Sequence, residues 1–282
     1  MKSLAFIILA LLIRPVSAHH GQDFLVTLDS KSLAPWSALS GTGFEHTRYD
    51  NYEELSIVQT FLLGLPNKFS AGASFRFADD GSGSWNQFSI TPSLQWTAPT
   101  LHLDSLDTSI QIAIAAGWEI PINESSHDHG TISLQDCSPL LGIPSLHAAC
   151  ELANRNALNH THDDSHEHSG IHRHGESHGF LRFIAETQLT PKDRLALNLI
   201  AVFPEDKSIQ TGYAMAYRHR FNEKFSLGLE ATGDFDSNGE HLAYLTATTY
   251  LNHHLSVTLG AATDLNSRSP DSTFQGLIIW RF

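Results

Sequence analysis

Two cysteines in 282 residues, Cys137 and Cys150, are too few for a disulfide-built scaffold. Basic residues are also scarce: 17 Lys and Arg stand against 30 Asp and Glu, for a formal net charge of -13. A surface of that sign repels phosphate backbones, which argues against nucleic acid and favours cations as partners. After residue 18 no apolar run reaches the ~20 residues that a helical span requires, so a helical membrane bundle is excluded. G-x-S-x-G is missing too, and no spacing of Ser and His marks a nucleophile with its base. These absences read as a protein that is not an enzyme.

What is present begins at the N-terminus. "MKSLAFIILALLIRPVSA" has a cationic Lys2, an apolar run from Leu4 to Ile13 and small residues at Ser17 and Ala18. This is the pattern of a secretory signal peptide over residues 1–18, cut after Ala18. Arg14 interrupts the run, which argues against a membrane anchor. In an exported chain Cys137 and Cys150 suggest a loop disulfide, with two zinc-binding thiolates as the alternative.

From Trp36 onward apolar and polar residues alternate. In "QFSITPSLQWTA", Phe88, Ile90, Leu94 and Trp96 share one face, with Ser89, Thr91, Ser93, Gln95 and Thr97 on the other. "TSIQIAIAAGWEI" and "KFSLGLEATGD" repeat the pattern. Period two means strands, and it fits a soluble sandwich as well as a barrel in lipid. The polar faces decide: they carry Glu54, Arg76, Glu119, Arg182, Arg218, Arg220 and Glu230 among many Ser, Thr and Gly. Such a face suits a watery lumen, and the seven charged residues are the candidate lumen-facing set.

Strands are expected near 36–49, 53–65, 69–78, 87–98, 108–122, 180–189, 195–204, 208–221, 225–234, 241–251, 255–263 and 272–282. That is an all-β chain forming a transmembrane antiparallel β-barrel of about 12 strands over 36–282, in the bacterial outer membrane. With both termini periplasmic, "PNK", "TPKD", "FNEK" and "NHH" are short periplasmic turns, and residues 123–179 form one long His-rich extracellular loop. "TLHLDSLD" is longer than a periplasmic turn should be. "STFQGLIIWRF" closes the chain with aromatics at alternate positions ending on Phe282, a signal of the kind that barrel-assembly machinery reads. Outer-membrane lipid and that machinery are the expected partners. Residues 19–35 form an N-terminal segment that either enters the lumen as a plug or lies in the periplasm.

The long loop holds His127, His129, His160, His162, His166, His168, His172, His174 and His178, interspersed with Asp163, Asp164, Glu167 and Glu176. Close-set imidazoles are good ligands for zinc or copper, although composition alone does not name the metal. A solvated loop with idle histidines is the competing reading. His19 and His20, at the expected new N-terminus, form a second candidate chelate. No cofactor is required on either reading.

Several pieces carry a resemblance: His19 to Phe24 ("HHGQDF"), "LLGLPNKFSAG", "SITPSLQWTAP", "GLEATGDFDSNGEH" and "GLIIWRF". Together they resemble a group of proteobacterial outer-membrane barrels whose mature chains start like "HHGQDF". That group is in turn similar to the outer-membrane transporters named for a phenol-degradation (MetA) pathway. The resemblance implies a barrel and a channel for small organic or hydrophobic solutes, with the His-rich loop as an elaboration. The residues themselves favour a channel or porin-like protein for small solutes that captures divalent transition metals. A closed barrel anchoring a surface metal-binding loop is the third reading.

Overall fold

The computed structural model describes residues 24–49, 53–79, 85–103, 108–122, 177–205, 208–236, 239–266 and 270–282. The described strands are β1 (Ala38–Arg48), β2 (Glu53–Leu65), β3 (Phe69–Asp79), β4 (Trp85–Thr97), β5 (Leu101–Leu103), β6 (Thr108–Pro121) and β7 (His178–Thr190). They continue with β8 (Asp193–Pro204), β9 (Gln210–Asn222), β10 (Phe225–Asp234), β11 (His241–Tyr250), β12 (Leu255–Asp264) and β13 (Ser272–Arg281). Each long strand pairs antiparallel with its neighbours in sequence, β1 pairs with β13, and β4 pairs directly with β6. The ring is therefore closed by twelve long strands. The "TLHLDSLD" connection departs from a plain turn because Leu101–Leu103 folds back as a short strand on Thr108–Ile110 of β6. Closure gives every long strand two partners and leaves no edge to be satisfied in hydrocarbon.

The strand alternation sorts side chains between two environments. Phe61, Leu94, Ile114, Leu197, Leu229, Leu245 and Ile278 point out and are exposed. Ser56, Ser70, Asn198, Glu230, Thr246, Thr258 and Thr273 point in and are buried. A water-soluble sandwich would have this distribution reversed. The long strands run 10–14 residues, and a tilted strand needs ~9–11 to cross the apolar layer. Trp96, Phe221, Trp280 and Phe282 mark one rim and Trp85, Phe77, Trp118 and Phe203 the other, all exposed. Two aromatic belts around an apolar band are the mark of a barrel seated in a bilayer.

The end holding Ala38 and Phe282 is called the lower end. There Phe282 N–H donates to Ala38 O at 2.8 Å, which fastens the last strand to the first. Pro66–Lys68 links β2 to β3 at this end with Asn67 at φ 60° and Lys68 at φ 64°. Two successive left-handed residues match the right-handed twist of a hairpin, and Asn accepts that geometry readily. At the upper end β6 finishes at Pro121 and β7 begins at His178, so residues 122–177 connect them and His178, expected in the loop, belongs to a strand.

Candidate functional site

The lumen contains part of the chain's own N-terminal region. Trp36 N–H donates to Gly64 O at 2.7 Å at the lower rim, and a side chain at Gly64 would collide with the Ala34 carbonyl. From this tether the preceding residues lie against inward faces on both sides of the barrel. Leu33 packs on Leu39 and Ile279, Leu28 on Ala113, Ala115 and Ile184, and Leu25 and Val26 on Leu242, Tyr244 and Ala262.

Polar side chains fix the main chain of this segment. Glu230 of β10 accepts the N–H groups of Leu25 at 2.8 Å, Val26 at 2.9 Å and Thr27 at 3.1 Å. Three successive N–H groups curled onto one carboxylate make a nest, an arrangement suited to a negative charge. Asn198 of β8 accepts from Leu28 N–H at 2.8 Å and donates to Leu28 O at 3.1 Å. Glu186 of β7 accepts from Ser30 N–H at 3.1 Å and Ser30 Oγ at 2.9 Å. Gln95 donates to Asp29 O at 3.1 Å, and Thr97 donates to Ser30 O at 2.7 Å.

Two arginines complete the site. Arg194 Nη2 lies 2.8 Å from Asp29 Oδ1 and 2.7 Å from Glu186 Oε1. The Phe24 ring centroid lies near two guanidiniums, 5.1 Å from Arg194 and 4.8 Å from Arg218. A cation close to an aromatic ring is favourable, more so away from water. Arg218 Nη1 also donates to Tyr250 Oη at 3.3 Å.

The residues expected to face the lumen lie at several heights. Near the upper end Arg76 Nη2 is 2.8 Å from Glu54 Oε1, and Glu119 Oε2 is 3.7 Å from His178 Nε2. Arg182 lies 5.6 Å from the Phe180 ring centroid. Near the lower end Arg220 donates to the carbonyls of Asn222 and Glu223 and stands over the Tyr250 ring. Of the seven expected lumen-facing residues, Glu54 and Arg76 meet each other, Glu230 meets backbone N–H groups, and Arg218 meets the Phe24 ring and the Tyr250 hydroxyl. Phe24, Asp29, Glu186, Arg194 and Asn198 were not in that set. Parity places Glu186 on the face of Arg182, which is the one signal for it, whereas no local pattern joins Asn198 to Leu28, 170 residues away.

Upper-end acids sit apart from this site. Burial and the Asp234 and Glu54 carboxylates push Glu240, between β10 and β11, up to about 7. Of the expected metal ligands only His178 is described, and among the described residues no three His, Cys, Asp or Glu come together around a metal position. His19, His20, His127, His129, His160, His162, His166, His168, His172 and His174 lie outside the described residues, as do Cys137, Cys150 and the expected cut after Ala18. On the outer wall at the lower rim, His219 Nδ1 is 2.7 Å from Asp193 Oδ1, and Tyr217 Oη donates to the same oxygen at 2.6 Å. These two bonds tie Asp193, the first residue of β8, to β9.

No family model matches the chain, and no curated protein matches it by sequence. Solved structures do match. KdgM porin superposes with TM-score 0.51 at 8% identity, over 86% of this chain and 99% of that one. KdgM porin in complex with disordered oligogalacturonate gives 0.50 at 6%, over 87% and 99%. Outer membrane phospholipase A from Escherichia coli gives 0.45 at 9%, over 87% and 93%. At such identities the likeness is one of fold. It agrees with the closed ring, apolar exterior and aromatic belts: the chain is a β-barrel of the bacterial outer membrane. The expected barrel architecture is thus found, whereas no link to the phenol-degradation transporters is shown.

Proposed function

We propose that the chain is a porin-like channel for small solutes, closed at rest by residues 24–35 acting as a plug. The observation that carries this reading is the character of the interior. Glu230, Asn198, Glu186 and Arg218 are all buried there, where an inert anchor would be filled more cheaply by apolar side chains. The plug is held by separate hydrogen bonds and small apolar contacts, without a strand of its own, so that it can leave while the barrel stays intact.

Planar-bilayer recording tests the reading. The full chain is expected to conduct rarely, and Phe24→Ala with Asp29→Asn, which removes the ring clamp and the Arg194 ion pair, is expected to conduct steadily. Silence in both would leave an anchor bearing a surface loop as the function. Capture of zinc or copper by His160 to His178 is an addition to the channel and rests on composition. Passage of small organic or hydrophobic solutes is the alternative cargo and rests on the sequence resemblance; equal zinc uptake with and without residues 159–179 would favour it.

A further inference from the structure

We propose that the plug occupies a solute site, and that the solute class is a short peptide with a free carboxylate. The inference rests on the channel reading and names its cargo. Glu230 would take the N–H or ammonium donors, Asn198 one peptide unit, and Arg218 the carboxylate.

The first argument is that the wall reads main chain. Glu230, Asn198, Gln95 and Thr97 bind the N–H and C=O groups of residues 25–30, and these bonds do not depend on side-chain identity. Asn198 in particular matches one residue's N–H and C=O at once. A simple ion offers no such pair, whereas any peptide does.

The second argument is charge. When the plug leaves, Asp29 leaves with it, so Arg194 keeps Glu186 while Glu230 loses three donors. Two guanidiniums and two carboxylates then line one space. That balance suits a zwitterion better than an anion or a cation alone.

The third argument is unused capacity. Arg218 is 3% exposed, and no carboxylate pairs with it among the described residues. Its Nη2, and the Oγ of Ser226, also buried, have no hydrogen-bond partner among those residues. Ser226 lies opposite Arg220 and Gly228 opposite Arg218, which places Ser226 and Arg218 diagonally on one inward face. A buried guanidinium that meets only rings and a phenol is costly unless a further acceptor visits it. The plug supplies a ring there and no carboxylate; a peptide ending in an aromatic residue supplies both.

Binding of the dipeptide alanyl-phenylalanine to the folded full chain in detergent, followed by calorimetry, tests the site. Wild type is expected to bind weakly, because the plug competes. Phe24→Ala with Asp29→Asn should bind at least tenfold tighter, and Arg218→Gln on that background should lose at least tenfold, with Arg218→Lys restoring part of the loss. Acetylating and amidating the dipeptide should weaken binding as Arg218→Gln does. Heat-modifiable gel mobility verifies that each variant is folded. Equal binding by wild type and the plug variant, or no loss with Arg218→Gln, overturns the proposal. Current without dipeptide binding overturns the site and leaves the channel; binding without current overturns the channel and leaves the site.

Discussion

Asn198 and Leu28 are joined by two hydrogen bonds between the barrel wall and the segment inside it, N–H to Oδ1 at 2.8 Å and Nδ2–H to O at 3.1 Å. The pair works as one rung of a sheet in which one strand has been replaced by a side chain. Asn198→Ala removes both bonds and changes nothing on the outer wall. At ~1 kcal/mol for each bond, the open form should gain roughly 30-fold in population. Open probability in bilayers, and the rate at which a protease cuts near residue 28, should rise together.

Glu240 gives the upper mouth a pH response. Its pKa is raised from 4.5 to about 7 by burial and by Asp234 and Glu54. A carboxyl raised in the fold holds its proton more tightly than in the unfolded chain, so its contribution to stability is fully present below about 4.5 and lost as pH rises through about 7. Glu240→Gln should therefore match wild type in thermal unfolding at pH 4 and exceed it at pH 8.5. In bilayers, cation preference of the open variant should increase from pH 6 to pH 8, and Glu240→Gln should flatten that change.

The outer wall offers a packing test. Gly276 of β13 lies opposite Phe44 of β1, and a Cβ at 276 would collide with the Phe44 ring. Gly276→Val forces that ring off the seam between first and last strands, at a cost of about 1–3 kcal/mol. Heat-modifiable mobility should be lost at a lower temperature than in wild type, while conductance of the surviving barrels stays the same.

The chain end is expected to matter for delivery more than for stability. Removing Phe282 takes away the terminal aromatic and the hydrogen bond to Ala38 O. Outer-membrane yield should drop several-fold as measured by quantitative blotting of membrane fractions. Barrels refolded in detergent, where no assembly machinery takes part, should form nearly as well as wild type.

If His160 to His178 bind zinc as neutral imidazoles, protons compete with the metal. Affinity should then fall as pH drops through about 6.5, the ordinary His value. Calorimetry of the full chain at pH 7.5 and 5.5, with and without residues 159–179, checks this. Binding that is unchanged by pH but abolished by moderate salt would assign it to the acidic residues instead.

The barrel was largely legible because period-two alternation is a local property. The 53–65 and 225–234 boundaries follow from it directly, as does the inward set containing Glu54 and Glu230. The β5 fold-back at Leu101–Leu103 was not legible, since three residues are too few to establish a period. Inward direction could be read from parity, but not the partner an inward residue meets. Glu230 sits in a strand as one more lumen acid, and only the curl of residues 25–27, about two hundred positions earlier, turns it into an anchor.

That separation has a kinetic consequence. Leu25 is 205 residues from Glu230 and Ser30 is 156 from Glu186, so the plug is made first, while most of its partners come late in synthesis. Contacts this remote form slowly, after the intervening chain has been organised. Ring closure needs only β1 and β13 to meet, with no requirement that residues 24–33 be docked. If the channel and plug proposed above hold, each newly assembled barrel would pass through an unguarded interval, and the leak borne by the envelope would scale with how fast new copies are inserted, not with how many are already there.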